Sequence, residues 1–240
     1  MKDLAELEKR IKVTFNDKSL LQQAIIHDSY INEHPDLKIG HNERLEFLGD
    51  AVLEFIVSEY LYENFQDYSE EYLTNLRTAL VQDEILAKIS EKINIEDFLM
   101  MGRGELKNTG KPRQTICANA IEALIGAIYL DKVHKKGYER GYDVTKKFIK
   151  DIILSELDNI LKTQSYFDSN YKSLFQDKAQ KQHLKYSYEP LCESGPDHNK
   201  IFKVALYLDE NKITEGEGAS KQEAEKDAAK KALENQELFI

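Results

Sequence analysis

Through the first 160 residues, apolar positions recur at helical spacing. LLQQAIIHDSYI, RLEFLGDAVLEFIVSEYLYENF, LRTALVQDEILAKISEKI, CANAIEALIGAIYLD and KKFIKDIILSELDNIL each carry one apolar face of period 3.6. Gly and Pro fall between these segments, in LKIGH, MMGRGELKNTGKPR and KKGYERG. The pattern predicts an all-α domain of six to eight helices over residues 1–160. It changes at KTQSYFDSN, a polar stretch without periodicity, and residues 161–169 read as a linker. Beyond it, NYKSLFQDKAQKQ has a helical pattern and KYSYEPLCESG that of a weak strand. KIFKVALYLDENKITEGEG alternates with period two: Phe202, Val204, Leu206 and Leu208 share one face, and DEN turns the chain into a further strand. In the closing SKQEAEKDAAKKALENQ, Ala224, Ala228, Ala229, Ala232 and Leu233 form one helical stripe. The order α-β-β-β-α over residues 170–236 predicts a small separate α+β domain with helices on one face of its sheet.

Composition narrows the class. Apolar residues make up 41% of the 240 positions and charged residues 32%, enough for a packed core under a soluble surface. No apolar run reaches the roughly 18 residues of a membrane span, and the N-terminal segment does not resemble a signal peptide. Cys117 and Cys192 lie far apart without a CxxC partner and read as reduced core thiols, so the expected compartment is the cytoplasm. A net charge of −10 opposes general attraction to nucleic acid, and the chain beyond residue 165 is itself acidic, with eleven lysines against fourteen acids. Any nucleic-acid surface is therefore a local patch.

The chemistry concentrates in two segments. In NERLEFLGDAVLEF (42–55), Glu43, Glu46 and Asp50 sit at i, i+3 and i+7, within about 60° of one another on a helix. Carboxylates on one stripe can be a solvated edge. Here Leu45, Leu48 and Val52 point to a core, and Phe47, Ala51 and Leu53 leave little of the helix for water. Unpaired buried carboxylates cost several kcal/mol, so a partner is expected. In ANAIEALIGAIYL (118–130), Asn119 and Glu122 share a face at i and i+3 and are the strongly polar side chains of an apolar run. Gly49 and Gly126 permit the two helices to approach closely. Oxygen-only ligands favour Mg²⁺ or Mn²⁺; zinc and di-iron sites would need Cys or His in spacings that do not occur.

These residues carry a resemblance. NERLEFLGDAVLEF is very close to the signature segment of ribonuclease III, and ANAIEALIGAIYLD resembles its second metal-binding segment. HDSY near residue 27, LTNLR at 73–77 and GRGELKNTGK at 102–111 continue the likeness. The C-terminal module resembles a double-stranded RNA-binding domain, so the likeness spans the chain. The resemblance implies that Asp50 and Glu122 are catalytic, that Glu46, Asn119 and Glu122 hold Mg²⁺ or a substituting Mn²⁺, and that Glu43 is an auxiliary acid. Asn119 departs from the family, which usually has Asp there. The implied activity is metal-assisted hydrolysis of double-stranded RNA to 5′-phosphate and 3′-hydroxyl ends with short 3′ overhangs, in processing of ribosomal and other RNA precursors. The implied assembly is a homodimer, and no membrane is involved.

For RNA contact, three elements are expected, because A-form RNA is read by shape across its minor grooves. Ser173, Gln176, Asp177 and Gln180 lie on one polar stripe of the first module helix. The loop SGPDHNK (194–200) offers His198 and Lys200. Ser220 and Glu223 form a capping box at the last helix, whose N-terminus, with Lys221 beside it, suits a phosphate. Gln222 stands where many relatives have a second Lys. A different class of function stays open, a relative that clamps duplex RNA without efficient cleavage; a duplex-cleavage assay separates the two.

Overall fold

The structure is a computed structural model that describes residues 3–66, 68–162, 164–194, 196 and 200–235. It comprises two compact units, one built from the chain up to residue 63 with 77–157, the other from 64–76 with the chain from 158 onward.

The helices in chain order are α1 (Leu4–Ile11), α2 (Lys18–Ala24), α3 (Asp28–Glu33), α4 (Glu43–Asn64), α5 (Glu70–Val81), α6 (Asp83–Ile93), α7 (Lys111–Lys136), α8 (Tyr138–Ile152) and α9 (Leu157–Lys162). That is nine among the described residues where the periodicity predicts six to eight, because three apolar runs are broken by local events. LLQQAIIHDSYI is interrupted where Ile26 bridges to Met100, after which the His27 ring caps α3 at the Ser29 amide. LRTALVQDEILAKISEKI divides at Gln82, whose ψ of 151° is extended. KKFIKDIILSELDNIL gives way after Ile152 to a 3-10 turn, Leu154–Glu156. There the fully buried Glu156 carboxylate meets the ammonium groups of Lys88, at 2.7 Å, and Lys92. A buried carboxylate persists only when paired, so the chain bends to reach both cations.

Helix α7 lies at the centre of the first unit. Ala120, Ile121, Ala123, Leu124, Ile125, Ala127 and Ile128 are completely buried, so this helix is apolar nearly all round and α2, α6 and α8 pack on it. It starts at Lys111, where Gly110 with φ 64° ends the preceding loop and Pro112 suits the first turn.

The second unit contains α10 (Gln164–Lys181), β1 (Tyr186–Ser194), β2 (Ile201–Leu208), β3 (Asn211–Gly218) and α11 (Lys221–Glu234). The strands form an antiparallel sheet in the order β1-β2-β3. Phe175 and Ala179 of α10, Leu206 and Leu208 of β2, and Ala228, Ala229 and Ala232 of α11 make the core. The alanine stripe lets α11 press on β3: a Cβ at Gly216 would stand 2.0 Å from the Ala224 carbonyl oxygen, so only glycine fits there. The stretch 161–169 that reads as a linker has helical backbone along most of its length, in α9 and α10. One expectation is corrected. Cys192 is exposed while Cys117 is buried. The register shift between Pro190 and Cys192 on the edge strand β1 disturbs the alternation that would have turned Cys192 inward. No helix among the described residues is long and apolar enough to cross a membrane.

Candidate active site and nucleic-acid interface

Two glycines determine where the acids meet. A Cβ on Gly49 would lie 1.8 Å from the Glu122 carbonyl oxygen, and one on Gly126 would lie 2.2 Å from that of Leu45. Backbones of α4 and α7 therefore touch at this crossing, as the glycine placement predicts. Glu46 and Asp50, one turn apart on α4, are brought beside Asn119 and Glu122 on α7. The Asn119 amide donates a hydrogen bond to the Glu46 carboxylate.

The electrostatics are those of an acidic site. Burial is the largest cause that pushes Glu122 up to about 8, followed by the charges of Asp50, Glu46, Asp83 and Glu54. Burial also raises Glu46, with Glu43 next, and the Asn119 hydrogen bond partly offsets this. A divalent cation would relieve this accumulation, and carboxylate and amide oxygens suit a hard one. Among the described residues, no three His, Cys, Asp or Glu side chains draw together to cage an ion by themselves.

Not all the surroundings follow the sequence reading. Phe47 is 80% exposed and Ala51 is also at the surface, so this side of α4 is open to water; Leu45 and Leu53 are buried and Leu48 and Val52 half-buried. Glu43 is exposed, with the His41 ring 3.6 Å from its carboxylate. Asp83 was missed by the sequence reading. It opens α6, and its Oδ2 accepts a hydrogen bond from Thr115 Oγ1 at 3.1 Å. A first-turn acid is common on helices, so nothing in its local pattern distinguishes it.

In the second unit, Lys200 and Lys221 converge on Glu193, at 3.7 and 3.9 Å from its carboxylate oxygens. Ser220 caps α11 by accepting from the Glu223 amide at 3.1 Å, and the Glu223 carboxylate accepts from the Ala219 amide at 2.9 Å. His198 lies outside the described residues. The polar stripe of α10 is divided: Ser173 and Asp177 are buried, Gln176 is half-buried and Gln180 exposed. Residues 64–76 provide a cover within this unit, since the Ser69 amide donates to Asp177 Oδ1 at 3.0 Å and the Lys181 ammonium lies 4.5 Å from the Tyr68 ring centre.

Comparison with known proteins agrees with both halves. The ribonuclease-III-like family model matches residues 17–157, and the double-stranded RNA binding motif matches residues 171–236. Ribonuclease 3 of Carboxydothermus hydrogenoformans is 43% identical over 97% of this chain and 95% of its own length. The chain belongs to the ribonuclease III family. Ribonuclease 3 of Dehalococcoides mccartyi is 42% identical over 98% of this chain and 95% of its own. Among solved structures, the nuclease domain of ribonuclease III from Campylobacter jejuni aligns with 63% of this chain and 99% of its own. Its TM-score is 0.53 at 38% identity, and in that protein a region involved in dimer formation shows structural flexibility.

Proposed function

We propose that this chain is a divalent-metal-dependent endoribonuclease that hydrolyses double-stranded RNA to 5′-phosphate and 3′-hydroxyl ends, leaving short 3′ overhangs. The observation that carries the reading is the glycine crossing, which assembles Glu46, Asp50, Asn119 and Glu122 into one acidic site in a chain that also has a double-stranded RNA-binding motif. Glu46, Asn119 and Glu122 would hold Mg²⁺, or Mn²⁺ in its place, with Asp50 beside them. A bound cation there supplies an activated water and neutralises charge on the phosphoryl group. Asp50 and Glu122 would then orient water against the scissile phosphate. Glu43, exposed at the start of α4, acts as an auxiliary acid at the rim. Ser173, Gln176, Gln180, His198, Lys200 and Lys221 are assigned to the RNA.

A two-fold homodimer completes the proposal. Phe47, Phe55 and Tyr62 of α4 are 80%, 60% and 75% exposed, an apolar edge suited to a second copy of the same helix. Processing of ribosomal and other structured RNA precursors in the cytoplasm is the role this activity would serve. The alternative, a clamp that binds duplex without cutting it, is not favoured, because the acids of the site are present and assembled. Incubation of a long RNA duplex with the protein and Mg²⁺ or Mn²⁺ tests the assignment: short duplex products with 5′-phosphates are expected, while stable complexes without cleavage under either metal would establish the clamp instead.

A further inference from the structure

Asn119 is a neutral ligand candidate among acids, and a further acid is tied to the same face of α7. Thr115, Asn119 and Glu122 lie at i, i+4 and i+7 on α7 and so share one face. Thr115, the first of the three, donates its hydroxyl proton to Asp83 Oδ2 at 3.1 Å, which fixes the start of α6 against this face. The negative charge of Asp83 is felt at Glu46 on α4 as well as at Glu122 on α7. Through Thr115, Asp83 is tied to the face of α7 that carries Asn119 and Glu122. Asp83 is exposed, so its oxygens can reach water bound within the site.

We propose that Asp83, held by Thr115, is an acidic positioning residue of the nuclease site, adding its charge beside the neutral Asn119 and ordering water bound by the cation. The role rests on the nuclease reading above. Asp83 acts through water and through its charge, without itself touching the reacting phosphate. Asn119 in turn hydrogen-bonds Glu46, a bond that a second carboxylate could not donate.

The test is Mn²⁺ binding by calorimetry without RNA, with thermal melts of each variant and duplex cleavage measured in parallel. Asp83→Asn should weaken Mn²⁺ binding by roughly five- to tenfold, the effect of one nearby charge in a partly hydrated site. Thr115→Val should act in the same direction and Thr115→Ser should restore the parent value. Asp83→Asn keeps an oxygen that can accept from Thr115, so a loss of affinity at an unchanged melting temperature reads the charge and not the tie between α6 and α7. Unchanged Mn²⁺ affinity in a folded Asp83→Asn protein would overturn the inference, as would an affinity loss that only accompanies a lowered melting temperature. In either case, duplex cleavage by the parent protein would leave the nuclease reading standing. A parent protein that neither binds Mn²⁺ nor cuts duplex RNA would overturn both.

Discussion

Gly49 lies directly against the main chain of Glu122, so close that an added Cβ would stand 1.8 Å from the Glu122 carbonyl oxygen and 2.9 Å from the Gly126 nitrogen. The obstacle is backbone on a central, fully packed helix, and such atoms cannot move aside as a flexible side chain would. Gly49→Ala is therefore expected to lose about 3 kcal/mol or more of stability and most duplex cleavage. Gly104→Ala is the matched control, since nothing lies within 4 Å of its added Cβ and its φ of −63° suits alanine. Urea unfolding of both variants checks this; equal midpoints would remove the close crossing from the account.

Glu122 should make the metal-free protein sensitive to pH. Its pKa in the fold, about 8, lies above the ordinary 4.5, so the folded state holds this proton where the unfolded chain has lost it. The stabilising contribution is complete below about 4.5 and declines as pH rises through 8. Glu122→Gln carries no such penalty. In the presence of a chelator it should melt higher than the parent at pH 9 and show a smaller difference at pH 5. Cleavage should be abolished while duplex binding is retained, because the RNA-binding residues are untouched. Parallel melting curves across this range would show that the carboxylate is not under strain.

Glu193 stands between the two lysines assigned to RNA, and its charge competes with phosphate for both. Lys200 and Lys221 lie 3.7 and 3.9 Å from its oxygens, distances typical of exposed ion pairs worth at most about 1 kcal/mol. Glu193→Gln should raise duplex affinity by roughly two- to fivefold at low salt, within that same range. Because binding that neutralises phosphates weakens with salt, the gain should shrink as ionic strength rises. Fluorescence anisotropy with a labelled RNA duplex at two salt concentrations measures it. Equal affinities would place these lysines away from the phosphates.

The acids and their meeting point could be read from the chain because the signals are local and repeat on two helices. Glu46 and Asp50 interrupt one apolar run, Asn119 and Glu122 another, and Gly49 and Gly126 mark where the two runs can touch. Asp83 could not be found in this way, since its link to the site runs through Thr115, a hydroxyl 32 residues away. The breaks at Gln82 and Glu156 escaped for a similar reason. At Glu156 the cause is a pair of lysines on α6, and apolar periodicity registers no such long-range pairing. Phe47 failed in the opposite sense, as its apolar side chain implied burial within one copy where the structure leaves it on the surface.

The covered stripe of α10 leads to a prediction about RNA access. Phe175 and Ala179 face the sheet, and the side bearing Ser173 and Asp177 is turned away from it, yet both polar residues are buried. The Ser69 amide occupies Asp177 Oδ1, and Asp177 Oδ2 is buried without a hydrogen-bond partner among the described residues. Burial raises the Asp177 pKa, opposed by hydrogen bonding to Ser69. Tyr68 strengthens the cover through Lys181 and stacks on Tyr72 with ring centres 4.4 Å apart. If Ser173 and Gln176 meet 2′-hydroxyls, this cover opens when RNA binds, and its opening opposes binding. Tyr68→Ala weakens the cover while leaving every residue assigned to RNA intact. Duplex affinity should rise by about two- to fivefold, corresponding to the loss of roughly 0.5–1 kcal/mol from an exposed cation–π contact. Amide hydrogen exchange at Ser69 should quicken in the same variant. Faster exchange with unchanged affinity would show that RNA reaches this module by the β1–β2 loop and the α11 N-terminus alone.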